Sequence, residues 1–144
     1  MPTDDKIKVK LLHNLATFDR AHADDVGYDL TCTKVVLTEG GGATLHLGVV
    51  VQPPEGTAFR VYPRSSFPKG GWFLSNSVGV IDPGYRGEWL MKIVPWKWGK
   101  TDPDTFIGKK VAQAVLYDTM TPSVEVVDEL TETERGVGGF GSTG

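Results

Sequence analysis

A single cysteine, Cys32, stands among 144 residues. It rules out an internal disulfide, and with it the small secreted scaffolds that use disulfides in place of a core. The paired cysteines of a zinc deaminase are missing as well, and His13, His22 and His46 are scattered without metal-ligand spacing. Charge of one sign is also lacking. Fifteen basic and 18 acidic residues leave a formal net charge of -3, which argues against a general nucleic-acid binder held by phosphate charge. No apolar run approaches the roughly 20 residues of a membrane-spanning helix. The opening Met-Pro-Thr-Asp-Asp-Lys carries neither the basic nor the apolar block of a signal peptide. No Gly-x-Ser-x-Gly elbow of a serine hydrolase occurs. These absences lead to the expectation of a soluble, cytoplasmic protein with no nucleic-acid or membrane partner. The length suits one domain able to bury about two-thirds of its unfolded surface.

What is abundant is glycine and proline, 18 and 9 residues, or 27 of 144. Average usage would give about 12 % rather than nearly one in five. Such a chain reads as short strands joined by turns. Residues 6–12 alternate, with Ile7, Val9 and Leu11 on one face. Further strands are expected over 28–36, 44–51, 57–62, 72–76, 88–96 and 110–117, with a short one at 124–127. Gly40-Gly41-Gly42, Pro53-Pro54-Glu55-Gly56, Pro68-Lys69-Gly70-Gly71 and Asp82-Pro83-Gly84 mark turns between them. No window holds an amphipathic helix of three turns. The spacing predicts an all-β sandwich, jelly roll or barrel. Residues 1–134 would form its body and 135–144 a flexible tail, since five glycines in those last ten residues leave little to bury. The Trp96-Lys97-Trp98 cluster suits either the core or a subunit interface.

Chemistry-bearing residues gather at the glycines. Pro63-Arg64-Ser65-Ser66 puts a guanidinium beside two hydroxyls, donors that suit phosphate oxygens. Residues 77–88 read as a β-hairpin turning at Pro83-Gly84, and glycine in a strand often marks close approach of a ligand or backbone. Asp82 ends the apolar run Val80-Ile81, where partial burial would move it towards general-base range. It is equally the residue type that starts a turn. Gly27-Tyr28-Asp29-Leu30 follows Asp24-Asp25. Those acids could meet a hydrated Mg²⁺ shared with substrate phosphates, or simply face solvent. Gln113, beside Ala112, offers a neutral amide to a site or to water. The tail carries Arg135 and Phe140 among its glycines: a phosphate fork and a stacking plate on a backbone that can approach closely.

In order, these five segments resemble the five motifs of the trimeric deoxyuridine triphosphate nucleotidohydrolases, the dUTPases. Gly27 to Leu30 is similar to the first, Pro63 to Ser66 to the second, Gly79 to Gly87 to the third, Gly108 to Gln113 to the fourth and Arg135 to Gly144 to the fifth. The resemblance implies a jelly-roll homotrimer with three sites at subunit interfaces, hydrolysing dUTP to dUMP and pyrophosphate with Mg²⁺. By the same resemblance the main chain at Gly79, Val80 and Ile81 would read uracil, with Asn76 helping to hold the base. Tyr85 would lie beneath the deoxyribose, and Asp82 would deprotonate the attacking water. Arg64, Ser65, Ser66 and Gln113 would bind phosphates, and Asp29 would touch Mg²⁺ through water. The tail would close, with Phe140 stacking on uracil, Arg135 pairing with phosphate, and Gly141 and Ser142 adding contacts.

The chain departs from the family pattern at four places. Val26 stands where alanine is usual, Ser66 where glycine is common, and Lys109 where an acid is frequent. The stretch 67–71 looks ill-suited to the short helix often found there. Two alternatives share part of the pattern. A dCTP deaminase of the same superfamily also has Arg-Ser-Ser and Asp-Pro-Gly, but Lys92 occupies the place of its proton-shuttling glutamate, and Glu88 would point elsewhere. A dUTPase-fold regulatory protein with nucleotide as its switch is the second.

Overall fold

The computed structural model describes residues 5–96 and 100–141. Ten strands follow in chain order: β1 (Lys8–Leu11), β2 (Gly27–Thr31), β3 (Lys34–Leu37), β4 (Ala43–His46), β5 (Val49–Gln52), β6 (Thr57–Pro63), β7 (Trp72–Leu74), β8 (Gly79–Ile81), β9 (Leu90–Pro95) and β10 (Lys110–Asp118). They form two four-stranded antiparallel sheets, ordered β2-β10-β6-β8 and β3-β4-β9-β7, with β1 and β5 paired as a third, small sheet. The only helical pieces among the described residues are 3-10 turns at Glu39–Gly41, Phe67–Gly70 and Pro103–Phe106. The all-β class expected from the turn spacing is observed, and its two packed antiparallel sheets agree with the jelly roll that the family resemblance implies.

Alternation along the strands builds the core. On β6, Phe59 and Val61 are buried while Arg60 between them is exposed; on β9, Met91 and Ile93 are buried while Lys92 is exposed. Trp72, Trp89, Phe59, Leu30, Leu45 and Leu47 fill the space between the sheets. Removing one of the buried aromatic rings would cost about 3–5 kcal/mol. An aromatic cluster occupies one end. Phe18 stacks on Tyr28 at 5.0 Å, and Trp89 meets Phe59 edge-on at 5.4 Å and Phe18 at 5.9 Å. Cys32 is fully buried, and burial pushes its thiol up to about 11, so it is not a nucleophile.

Several expectations change. The segments 28–36 and 44–51 are each two strands, not one. The second breaks at Gly48, whose φ of +67° suits glycine and whose added Cβ would meet Ala16 and Thr33 at about 3 Å. Residues 67–71 do contain a short 3-10 turn, because Phe67 buries its ring against Phe106 at 5.0 Å and pins that turn. Residues 124–127 form no strand, and Val124 and Val126 are exposed. Trp89 is core, Trp96 is half-exposed, and Trp98 lies outside the described residues.

The largest correction concerns 77–88. It is not a hairpin of two paired strands. β8 pairs with β6 in one sheet, whereas β9 pairs with β4 and β7 in the other. The segment 82–89 therefore crosses from one sheet to the other at the rim of the sandwich. The Pro83-Gly84 turn forms within it, closed by the Tyr85 N–H donating to the Asp82 carbonyl at 3.0 Å.

Candidate active site

One group of expected residues surrounds this crossing. β8 is an edge strand, so its outer main-chain groups have no partner strand. Beside it lies a cavity of about 380 Å³ lined by Asn76, Gly79, Ile81, Leu90 and Lys92, with Val61 and Leu74 behind. A second cavity of about 220 Å³ adjoins it, sharing Ile81 and Leu90 and lined also by Val80, Asp82, Tyr85, Glu88 and Trp89. Together they form an apolar cleft with an exposed main-chain edge, an amide, a phenol and a carboxylate at its margin. That is the usual make-up of a small-molecule site, where few polar groups fix orientation. Gly79 faces Val61 closely, and Ser77 takes a φ of 64° to turn the chain into β8.

The loop is braced locally. The Tyr85 hydroxyl donates to the Glu88 carbonyl at 3.0 Å, and Arg86 Nη1 donates to the carbonyls of Pro83 and Tyr85 at 2.7 and 3.2 Å. Gly87 lets the Tyr85 ring and hydroxyl lie close over the main chain, where a Cβ would force the ring to move. Asp82 is exposed. Of the two readings of Asp82, partial burial is not seen, since the loop runs along the rim uncovered by the other described elements; the turn-starting role is, with the Asp82 carbonyl accepting from the Tyr85 N–H.

A second group lies elsewhere. Arg64 follows β6, its main chain fixed by a hydrogen bond from its N–H to the Val111 carbonyl at 3.0 Å. Its Nε stands 3.6 Å from Asp29 Oδ1, and Lys110 Nζ stands 3.5 Å from Asp29 Oδ2. Asp29 is thus the shared counter-ion of two cations, with its side chain only 17 % exposed. A pair this close to the surface adds little stability, about 0–1 kcal/mol. Its consequence is orientation: the carboxylate engages Nε, and the Nη donors of the guanidinium remain for a second anion. Gln113 pairs with Asp29 across β10 and β2, and its amide lies over Gly27, where a Cβ would clash. Ser65 and Ser66 are exposed in the turn pinned by Phe67. Sequence reasoning missed Lys110 and Asp19, which stand 3.9 Å apart at the margin of this cluster. The adjacent lysines 109 and 110 gave no sign of which one faces β2. Of the two readings of Asp24 and Asp25, cation contact or solvated turn acids, the second fits: they lie in a local turn in which Asp25 accepts from the His22 N–H at 3.0 Å.

The two groups do not meet within one chain. Register places Ile81 opposite Phe59 and Ala112 opposite Pro63, near opposite ends of β6. Asp82 and Arg64 lie beyond those ends, roughly 20 Å apart at ~3.3 Å per residue. A third group, the tail, is separate again. Arg135 Nε donates to the Gly138 carbonyl at 2.6 Å, while Phe140 and Gly141 are exposed. Ser142 lies outside the described residues.

Comparison with known proteins now decides the family. The family model described as dUTPase matches residues 13–144. The chain belongs to the dUTPase family. It is 38 % identical over 141 residues to a deoxyuridine 5'-triphosphate nucleotidohydrolase of Alkaliphilus metalliredigens, covering 96 % of each chain. It is 37 % identical over 145 residues to that of Clostridium tetani, covering 99 % of each. Among solved structures, the dUTPase of Staphylococcus bacteriophage 80alpha with dUpNHpp is 27 % identical, with a TM-score of 0.79 over 97 % of this chain and 99 % of that one. The dUTPase of phage phi11 of S. aureus shares the fold at 24 % identity and a TM-score of 0.72, and its structure details the coordination of a structural Mg(II) ion in that protein.

Proposed function

We propose that this dUTPase hydrolyses dUTP to dUMP and pyrophosphate, limiting uracil entry into DNA inside the cell, at sites assembled between the copies of a homotrimer. The observation that carries this reading is the cleft at β8, which joins an apolar slot, an open main-chain edge and an exposed carboxylate. Uracil presents two carbonyl oxygens and an N–H, which an edge strand can match with main-chain donors and acceptors much as a pairing base would. The Asn76 amide, both donor and acceptor, supplements them. The ring of Tyr85, at the margin of the cleft, offers a flat surface to a sugar, and contact there would disfavour an added hydroxyl.

Asp82 then takes the proton of a water aligned on the α-phosphorus. The water oxygen bonds to phosphorus, the bond to the bridging oxygen breaks, and pyrophosphate leaves. Arg64, Ser65, Ser66 and Gln113 of a neighbouring copy hold the phosphate oxygens, because those of the same chain are too far from its own Asp82. Positioned charge of this kind, more than covalent chemistry, is what phosphoryl transfer requires. Residues 135–144 serve as a lid on the body formed by 1–134. In the lid Phe140 covers the base, Arg135 pairs with phosphate, and Gly141 and Ser142 pack against the chain of oxygens, excluding bulk water.

Mg²⁺ fits this arrangement in one way only. Among the described residues no group of three acidic, histidine or cysteine side chains could cage a metal, and Asp29 is already paired with Arg64 and Lys110. Such a donor set suits an ion that keeps its waters and travels on the triphosphate, with Asp29 meeting one of those waters. When bound, Mg²⁺ would neutralise phosphate charge and hold the chain of oxygens in one conformation.

The test is incubation with Mg²⁺ and either dUTP or dCTP, measuring pyrophosphate and ammonia separately. Pyrophosphate from dUTP and no ammonia from dCTP is the expected result. Ammonia release would replace this reading with deamination.

A further inference from the structure

The side chain of Glu88 is not explained by the chemistry above. It turns away from the loop and accepts two hydrogen bonds from the corner between β4 and β5, one from His46 Nδ1 at 3.0 Å and one from the Gly48 N–H at 3.1 Å. A carboxylate only accepts, so the imidazole proton sits on Nδ1. Both side chains are about one-quarter exposed, His46 at 23 % and Glu88 at 28 %. His46 is itself held, since its carbonyl accepts from the Thr33 N–H at 2.8 Å and from the Thr33 hydroxyl at 3.1 Å. The next residue continues the fastening: Leu47 N–H donates to the Trp89 carbonyl and Trp89 N–H to the Val49 carbonyl, each at 3.0 Å.

The loop 82–88 therefore leaves one sheet at Ile81 and is fastened to the other where Glu88 and Trp89 land. The main-chain carbonyl of Glu88 is the acceptor for the Tyr85 hydroxyl. A displacement of Glu88 is passed through that bond to the tyrosine, whose ring and hydroxyl lie against Gly87.

We propose that Glu88, held by His46, is a positioning residue that sets the height of the Tyr85 ring, and through it the preference for deoxyribose over ribose. The proposal deepens the reading of the cleft as a dUTP site and rests on it. Glu88 touches no reacting atom; it works by fixing where the loop lands. Displacing a positioning contact by about 1 Å can cost up to ~100-fold in rate, and the ribose analogue gains whatever room the tyrosine gives up.

The experiment measures kcat and KM for dUTP and for UTP in the wild type, Glu88→Ala, Glu88→Gln and His46→Ala, with amide hydrogen exchange over 82–88. Glu88→Ala should lower the dUTP-to-UTP ratio of kcat/KM by about 10-fold or more and speed exchange in the loop. Glu88→Gln should keep most of the ratio, because its amide oxygen still accepts from Gly48. His46→Ala should fall between them, and it carries the test if Glu88→Ala does not fold. A ratio unchanged in the alanine variants, with both substrates slowed equally, would overturn the proposal. A wild type that fails to hydrolyse dUTP would overturn the functional reading instead, and the exchange rates would then still report whether Glu88 fastens the loop.

Discussion

The two ends of the β2-β10-β6-β8 sheet carry different chemistry on different supports. At the Phe59 end the loop with Asp82 and Tyr85 spans two sheets, and its exposed carboxylate stands at the margin of an apolar cleft. At the Pro63 end Arg64, Lys110 and Gln113 are mounted on strands and a pinned turn around the buried side of Asp29. One end is suited to a nucleoside and a water, the other to phosphate oxygens. On the proposed reading neither is a complete site, since the sheet between them keeps them apart. Catalysis on this account belongs to the assembly, while each chain contributes both halves to different sites.

The largest expected effect separates the two ends by their kinetics. Asp82→Asn should lower kcat by about 10³-fold with KM for dUTP changed little, since a general base contributes ~10²–10⁴-fold. Arg64→Ala should instead act strongly on KM. Equal patterns in both variants would erase the distinction. Next, deleting 135–144 should lower kcat/KM by about 10–100-fold with the oligomer intact in sedimentation, because a lid excludes water without forming the body. Gly87→Ala should come third. Its methyl must displace the Tyr85 ring, so dUTP turnover should fall by about 10-fold while Arg64-dependent pyrophosphate binding, read by calorimetry, stays unchanged. The smallest effect is expected at Trp89→Phe. The buried indole N–H of Trp89 finds no partner among the described residues, so its removal offsets part of the lost packing and should shift stability by about 1 kcal/mol. A loss above ~3 kcal/mol in chemical denaturation would show that the indole matters more than its contacts indicate.

Much of this was legible in the residues. Turn chemistry and period-two alternation identify an all-β chain, and ordered short motifs mark Arg64, Asp82, Gln113 and the tail. Pairing between distant strands was not legible. Residues 77–88 have every local feature of a hairpin, yet Val80 and Ile81 find partners on β6 and Met91 on β4, and only the register between remote strands decides that. The same limit hid the exposure of Asp82, which follows from what covers a loop and not from its own neighbours in sequence. Glu88 and His46 are 42 residues apart, so their bond leaves no mark in either segment. Phe67 shows the opposite case, a residue inside a Pro-Gly run that reads as plain turn but acts as an anchor once Phe106 is beside it.

The central claim is that Asp82 and Arg64 act on one nucleotide only from different copies of the chain. It is tested most directly by unfolding and refolding together equal amounts of Asp82→Asn and Arg64→Ala, assayed at a dUTP concentration near the wild-type KM, where each variant alone turns over little. Each site shared between two copies would be intact with a chance of about one quarter in random assemblies, so the mixture should recover about one quarter of wild-type dUTP turnover. A mixture as inactive as its parents would show that each chain completes its own site, and would contradict the account.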